Sequence, residues 1–165
     1  MQIDAFKTNG TSPPRPARAV AYRLRTVTLR LAEPPAHRLG DPASALAYLH
    51  PIFAALDGDR EHFVLLALDA QNGVRGYKVV ATGGQSATTV DAKTTFRDAL
   101  LLGAASVILA HNHPSGDPAP SREDLRLTRQ LVDAGKLLDI RVHDHVILGH
   151  GDQYVSLAAR GQMEG

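Results

Sequence analysis

Apolar positions along the chain fall into short uninterrupted runs and helically spaced sets, and together they predict a sheet with helices packed beside it. After the charged entry Arg60-Glu61-His62, the run Phe63–Leu68 reads as a central strand buried on both faces. Asn72-Gly73 marks a hairpin turn, and Val74–Ala81 returns as the partner strand. Ser106–Ala110 is a second apolar run, short enough for a buried strand. Leu46, Leu49, Phe53 and Leu56 keep helical spacing from Asp41-Pro42, a good cap and first turn, to Gly58, with Pro51 expected to kink or divide the helix. Asp91 is expected to cap a helix through Leu102 that Gly103 ends, and a further helix is expected over Arg122–Ala134, closed by Gly135. Ile140–His143, His145–Leu148 and Gln153–Ser156 read as strands, the last after a turn at Gly149–Asp152. The order predicts a mixed α/β domain, and the hairpin argues against an all-parallel sheet.

The front of the chain reads differently. Residues 1–19 offer little to bury and read as a basic arm. From Val20 to Leu31 apolar residues hold even positions and then odd ones, which predicts one or two strands with a break near Thr26. Another short strand is expected at 87–90, and the prolines of 33–40 read as a linker into a domain over 41–161, with 162–165 as a tail. Charge follows the same division: residues 1–40 hold seven of the 18 Lys and Arg but two of the 17 Asp and Glu. Arg23, Arg25 and Arg30 on an exposed strand face suit weak contact with DNA, though arginine is common on the wet side of any strand. No apolar stretch is long enough to span a membrane and the first residues lack a signal-peptide pattern, so a cytoplasmic protein is expected.

The candidate chemistry lies just past the second apolar run. In an extended backbone His111 and His113 point to one side and Asn112 to the other. Ten residues separate His113 from Asp124, enough for a Pro/Gly/Ser/Asp loop to bring that carboxylate back to the histidines. With no cysteine in the chain, a metal must use imidazole and carboxylate. Two imidazoles and one carboxylate make a three-ligand zinc set with a position open to water, whose pKa such a metal lowers to about 7. Each residue also has a structural reading: the histidines as solvated loop groups, and Ser121 with Asp124 as a near relative of the capping box. The last two readings are compatible, because a helix start can hold a ligand in place.

The string His111-Asn112-His113-Pro114-Ser115-Gly116-Asp117-Pro118, followed by Ser121 and Asp124, resembles the JAMM motif of JAB/MPN metallopeptidases. In detail it resembles the RadC-like branch, over about Glu61 to Gly161. The resemblance implies a curved mixed sheet flanked by helices, the cytidine deaminase-like architecture of MPN domains. It implies zinc on His111, His113 and Asp124, Glu61 as general base, and Ser121 as donor to a developing oxyanion. Without it, Glu61 reads as a solvated charge at a strand entrance. Ser115 and Asp117 read as turn formers. By the same resemblance Asp144-His145 matches an Asp-His pair that supports the site from behind the ligands, whereas His143 is not expected to be a ligand. There are departures: Ala92-Lys93 stands where the family usually has Pro-Arg, and residues 1–57 show nothing like the helix-hairpin-helix segment of full-length RadC-like proteins.

Two functions from different classes follow. The first is a zinc-dependent hydrolase of peptide or isopeptide bonds acting on a protein or peptide substrate. The second is a DNA-associated accessory or repair-related protein that uses the fold as a binding module through its basic front.

Overall fold

A computed structural model describes residues 37–83 and 90–163. The strands expected over Val20–Leu31, with Arg23, Arg25 and Arg30, lie outside these residues. So does the short strand expected at 87–90, save for Val90, which is not in a strand. The element order is α1 (Pro42–Ala54), β1 (His62–Leu68), β2 (Val74–Thr82), α2 (Ala92–Leu101), β3 (Ser106–Asn112), α3 (Arg122–Leu137), β4 (Arg141–Leu148) and β5 (Tyr154–Ser156).

The strands form one mixed sheet in the order β2-β1-β3-β4-β5, in which β3 and β4 are parallel and every other pair is antiparallel. The parallel pair needs a crossover, and α3 supplies it. Alternation along the strands divides the core. Val64, Leu66, Leu68, Ile108, Ala110, Val146 and Leu148 pack against Leu46, Leu49 and Ile52 of α1. The other face, Phe63, Leu65, Ala67, Val107 and Leu109, packs against Phe96 and Ala99 of α2 and Leu131 of α3. Covered on both sides, β1 is buried along its whole length, which is why it carries no polar alternation.

Four details depart from the sequence expectations. Pro51 does not divide α1: the helix runs through it and ends at Ala54, before Gly58. Gly135 does not close α3, which continues to Leu137. A Cβ at Gly135 would lie 2.5 Å from the Ile140 carbonyl oxygen and 3.1 Å from the Phe96 ring, so this glycine allows close packing inside the helix. Asp139, with φ 56°, takes the left-handed position past the helix end. Arg141–Leu148 form one strand where two were expected, and an irregularity opposite Val107/Ile108 leaves His143 without a partner on β3. The fold also begins before residue 41: Leu39 is buried and its N–H bonds the Asn72 carbonyl, while Val74 N–H bonds that of His37. Among the described residues no helix is long and apolar enough to cross a membrane.

Candidate metal centre

The end of β3 carries the first two candidate ligands. His111 and His113 continue the alternation of Leu109, so both face α3, with His111 fully buried and their Nε2 atoms 3.0 Å apart. The loop after them is tightly held. His113 N–H bonds the Leu148 carbonyl, and Gly116, at φ 82°, lies against the His150 ring so closely that a Cβ would overlap it. Asp117 turns the loop by accepting from Ala119 N–H, as expected of a turn former. The loop then ends in α3.

The start of α3 delivers the third candidate ligand. Ser121 Oγ accepts from Asp124 N–H at 3.1 Å, and Asp124 Oδ2 accepts from Ser121 N–H at 2.7 Å, a reciprocal capping box. The cap thereby fixes the Asp124 carboxylate, whose oxygens lie 3.3 Å from His111 Nε2 and 3.5 Å from His113 Nε2. One ligand atom from each of these three residues lies within 4.8 Å of the others, a group suited to a metal ion. The capping reading and the ligand reading therefore coexist.

Hydrogen bonds behind the ligands fix which nitrogen of each ring faces the site. Thr128 Oγ1 donates to the Asp124 carbonyl at 2.6 Å, so it must accept from His145 Nδ1, also 2.6 Å away. His145 is fully buried, and burial, reinforced by the charge of His111, pushes its pKa well below the usual value, so it is neutral. With its proton on Nδ1, its Nε2 accepts from His111 Nδ1 at 2.8 Å. His111 thus turns an Nε2 lone pair to the site. His113 Nδ1 donates to the Asp117 carbonyl at 2.7 Å and leaves its Nε2 in the same role.

Two lone pairs and a carboxylate converging in this way make a group that could hold a metal ion. Without a metal a proton takes the place. Burial alone would raise the Asp124 carboxyl, but hydrogen bonding from His111 and Ser121 outweighs it and holds that group well below the usual carboxylate range. With the outward nitrogens already committed, the donor set fits a metal ion.

Glu61 stands at the entrance of β1, exposed, and lines a 420 Å³ cavity with Asp124, Phe63, Ala81, Gly83, Val90 and Leu127. Its backbone is pinned from both sides by Asn112, which accepts from His62 N–H at 2.8 Å and donates to the Arg60 carbonyl at 2.9 Å. Gly83 N–H adds a bond to the Glu61 carbonyl at 2.6 Å. The residue between the two histidines therefore ties Glu61 to the strand that carries them.

Residues 39–162 match the RadC-like JAB domain. The chain belongs to this family. Among curated RadC-like relatives, all named UPF0758 protein, that of Methanosarcina acetivorans is 42% identical over 142 residues, 86% of this chain and 59% of the relative. That of Salinibacter ruber is 38% identical over 160 residues, 96% of this chain and 67% of the relative. One from Syntrophomonas wolfei is 48% identical over 103 residues, 62% of this chain and 43% of the relative. The chain thus spans 59% of the length of the first of these relatives. The mixed sheet with helices on both faces is the JAB fold of this family, which includes metallopeptidases.

Of the RadC-like Asp-His pair, only the histidine reaches the cluster. Asp144 is paired with Ile108 and accepts from His145 N–H, Ala158 N–H and the Ser156 hydroxyl, so it braces the β4–β5 junction. His143 touches none of the ligands through a hydrogen bond. Thr128 and Asn112 escaped the sequence reading. Thr128 lies one helical turn after Asp124, a spacing that marks it as a neighbour once Asp124 is a ligand. Nothing in the sequence points from Asn112 to Arg60 and His62, because that contact is made by strand pairing across 50 residues.

Proposed function

We propose that this RadC-like protein is a zinc-dependent hydrolase of peptide or isopeptide bonds. The observation that carries the reading is the convergence of His111 Nε2, His113 Nε2 and the Asp124 carboxylate, with both histidine tautomers fixed from outside. A zinc ion held there supplies a water nucleophile at neutral pH and polarises the substrate carbonyl. The rest falls to side chains of this chain. Glu61, on the shared cavity, takes the proton of the attacking water on its carboxylate and returns it to the leaving amine. Ser121 spends an oxygen lone pair on the helix cap, so its hydroxyl proton is free to bond the developing oxyanion.

A peptide library made from a digested proteome tests this by mass spectrometry of new termini. Zinc-loaded protein is expected to cleave and Glu61→Gln to leave the library intact while keeping its zinc. No cleavage by the parent protein, or equal cleavage by Glu61→Gln, contradicts the reading. The second reading, a DNA-associated accessory role, rests on the basic residues of the first 40 positions. It predicts DNA binding that weakens steeply with salt.

A further inference from the structure

The cavity that Glu61 shares with Asp124 is larger than the reacting groups need. At 420 Å³ it has room for far more than one attacking water, whose share of the liquid is about 30 Å³. That volume falls within the roughly 300–1,000 Å³ of pockets that enclose a ligand.

The space follows from residue sizes. On the β2 side Ala81 and Gly83 line the cavity with the two smallest residues, and on the α3 side Leu127 lines it, one turn after Asp124. Phe63 of β1 and Val90 complete an apolar wall. Gly83 has a second duty: a Cβ there would lie 3.3 Å from the Glu61 Cβ, so the glycine leaves the base its place.

Position decides what enters. In the hydrolase reading Glu61 returns a proton to the leaving amine, so that amine lies beside Glu61 and the side chain of its residue is the group nearest the cavity. Charge narrows the choice. Three carboxylates, those of Glu61, Glu123 and Asp124, line the cavity against one guanidinium, that of Arg126. An acidic side chain is therefore opposed by like charge, whereas a large apolar one exchanges water for Phe63, Ala81, Val90 and Leu127.

We infer that this cavity is the side-chain pocket for the residue whose amine leaves, that it selects a large apolar residue such as leucine or phenylalanine, and that Ala81 and Leu127 set the preference. The inference rests on the hydrolase reading for the placement of the leaving amine. It makes the substrate a peptide cut just before a bulky apolar residue.

The test uses the full-length, zinc-loaded protein and a series of succinyl hydroxamates. These hold a metal through the hydroxamate and carry one variable side chain where the residue after the cut would stand. Calorimetry reads binding without turnover, so a protein that binds the series in the expected order and cleaves nothing contradicts the hydrolase reading alone. Isobutyl and benzyl analogues are expected to bind about 10- to 100-fold tighter than the analogue without a side chain, the worth of burying such a group. The carboxymethyl analogue is expected to bind weakest. Ala81→Leu fills the pocket, and is expected to erase the preference while the analogue without a side chain binds as before. Leu127→Ala removes part of the wall, and is expected to weaken the isobutyl analogue by roughly fivefold or more. Unchanged melting temperatures establish that both variants fold. Equal binding across the series, a carboxymethyl or aminobutyl analogue that outbinds the isobutyl one, no binding of any analogue, or a preference that neither substitution alters overturns the inference.

Discussion

Replacing Thr128 by valine keeps the shape of a fully buried side chain and removes one hydroxyl. In the parent that hydroxyl accepts from His145 Nδ1 and donates to the Asp124 carbonyl, which keeps its helical partner when the hydroxyl is lost. What remains unpaired is the His145 Nδ1 proton. A buried donor left without an acceptor costs about 1–3 kcal/mol. His145 escapes the penalty by moving its proton to Nε2, but that proton then faces His111 Nδ1 and forces the His111 proton onto the nitrogen that should hold the metal. The metal-bound state must therefore keep the penalised tautomer, while the metal-free state is free to relax. At about 1.4 kcal/mol per factor of ten, zinc affinity falls by about 5- to 150-fold, in line with the 10- to 100-fold losses typical of groups that orient metal ligands. Competition against a chromophoric zinc chelator measures it, with Thr128→Ser as the control that restores the hydroxyl. Thr128→Val binding zinc as tightly as the parent would refute the proton chain from Asp124 through Thr128 and His145 to His111.

Three other perturbations probe separate links. Asn112→Ala frees the Glu61 segment from the metal strand, so turnover should fall by well over the change in zinc affinity; equal losses in the two would mean that Asn112 supports only the fold. Gly135→Ala gains about 1 kcal/mol of helix propensity but drives a Cβ to 2.5 Å from the Ile140 carbonyl oxygen, and overpacking of that kind costs about 1–3 kcal/mol. Denaturant unfolding is therefore expected to show net destabilisation, and a stabilised variant would contradict the packing argument. In metal-free protein the depressed pKa of His145 makes the unfolded chain bind the extra proton first. Its contribution to stability is thus complete above pH about 6.5 and is lost as pH falls below it, by up to about 1.4 kcal/mol per pH unit. Thermal melts in chelator from pH 8 to 5, compared with His145→Gln, check this, and identical slopes would remove His145 as the source.

The sequence made the sheet legible because its strands announce themselves by burial. Phe63–Leu68 is apolar throughout since helices cover both its faces, and Asn72, with φ 60°, supplies the hairpin that pairs it with β2. The convergence of the candidate ligands was legible through local geometry: strand alternation aims His111 and His113 alike, and a capping box fixes Asp124. Gly135 misled because a glycine late in a helix reads as a stop, whereas here it answers to Phe96 and Ile140, neighbours that only the tertiary structure supplies. The one-residue irregularity at His143 likewise depends on pairing with β3. Thr128 and Asn112 stayed hidden for the same reason, since each acts through partners brought near by α3 crossing over to β4 or by β1 pairing with β3.

The most direct test of the metal centre is the metal content of protein purified without chelator, by elemental mass spectrometry, for the parent, His113→Ala and Asp124→Asn. About one zinc per chain in the parent, lost in both variants while their folded spectra persist, is the expected result for a three-ligand site. A parent that carries no zinc and takes up none on reconstitution, or variants that retain it in full, would contradict the account.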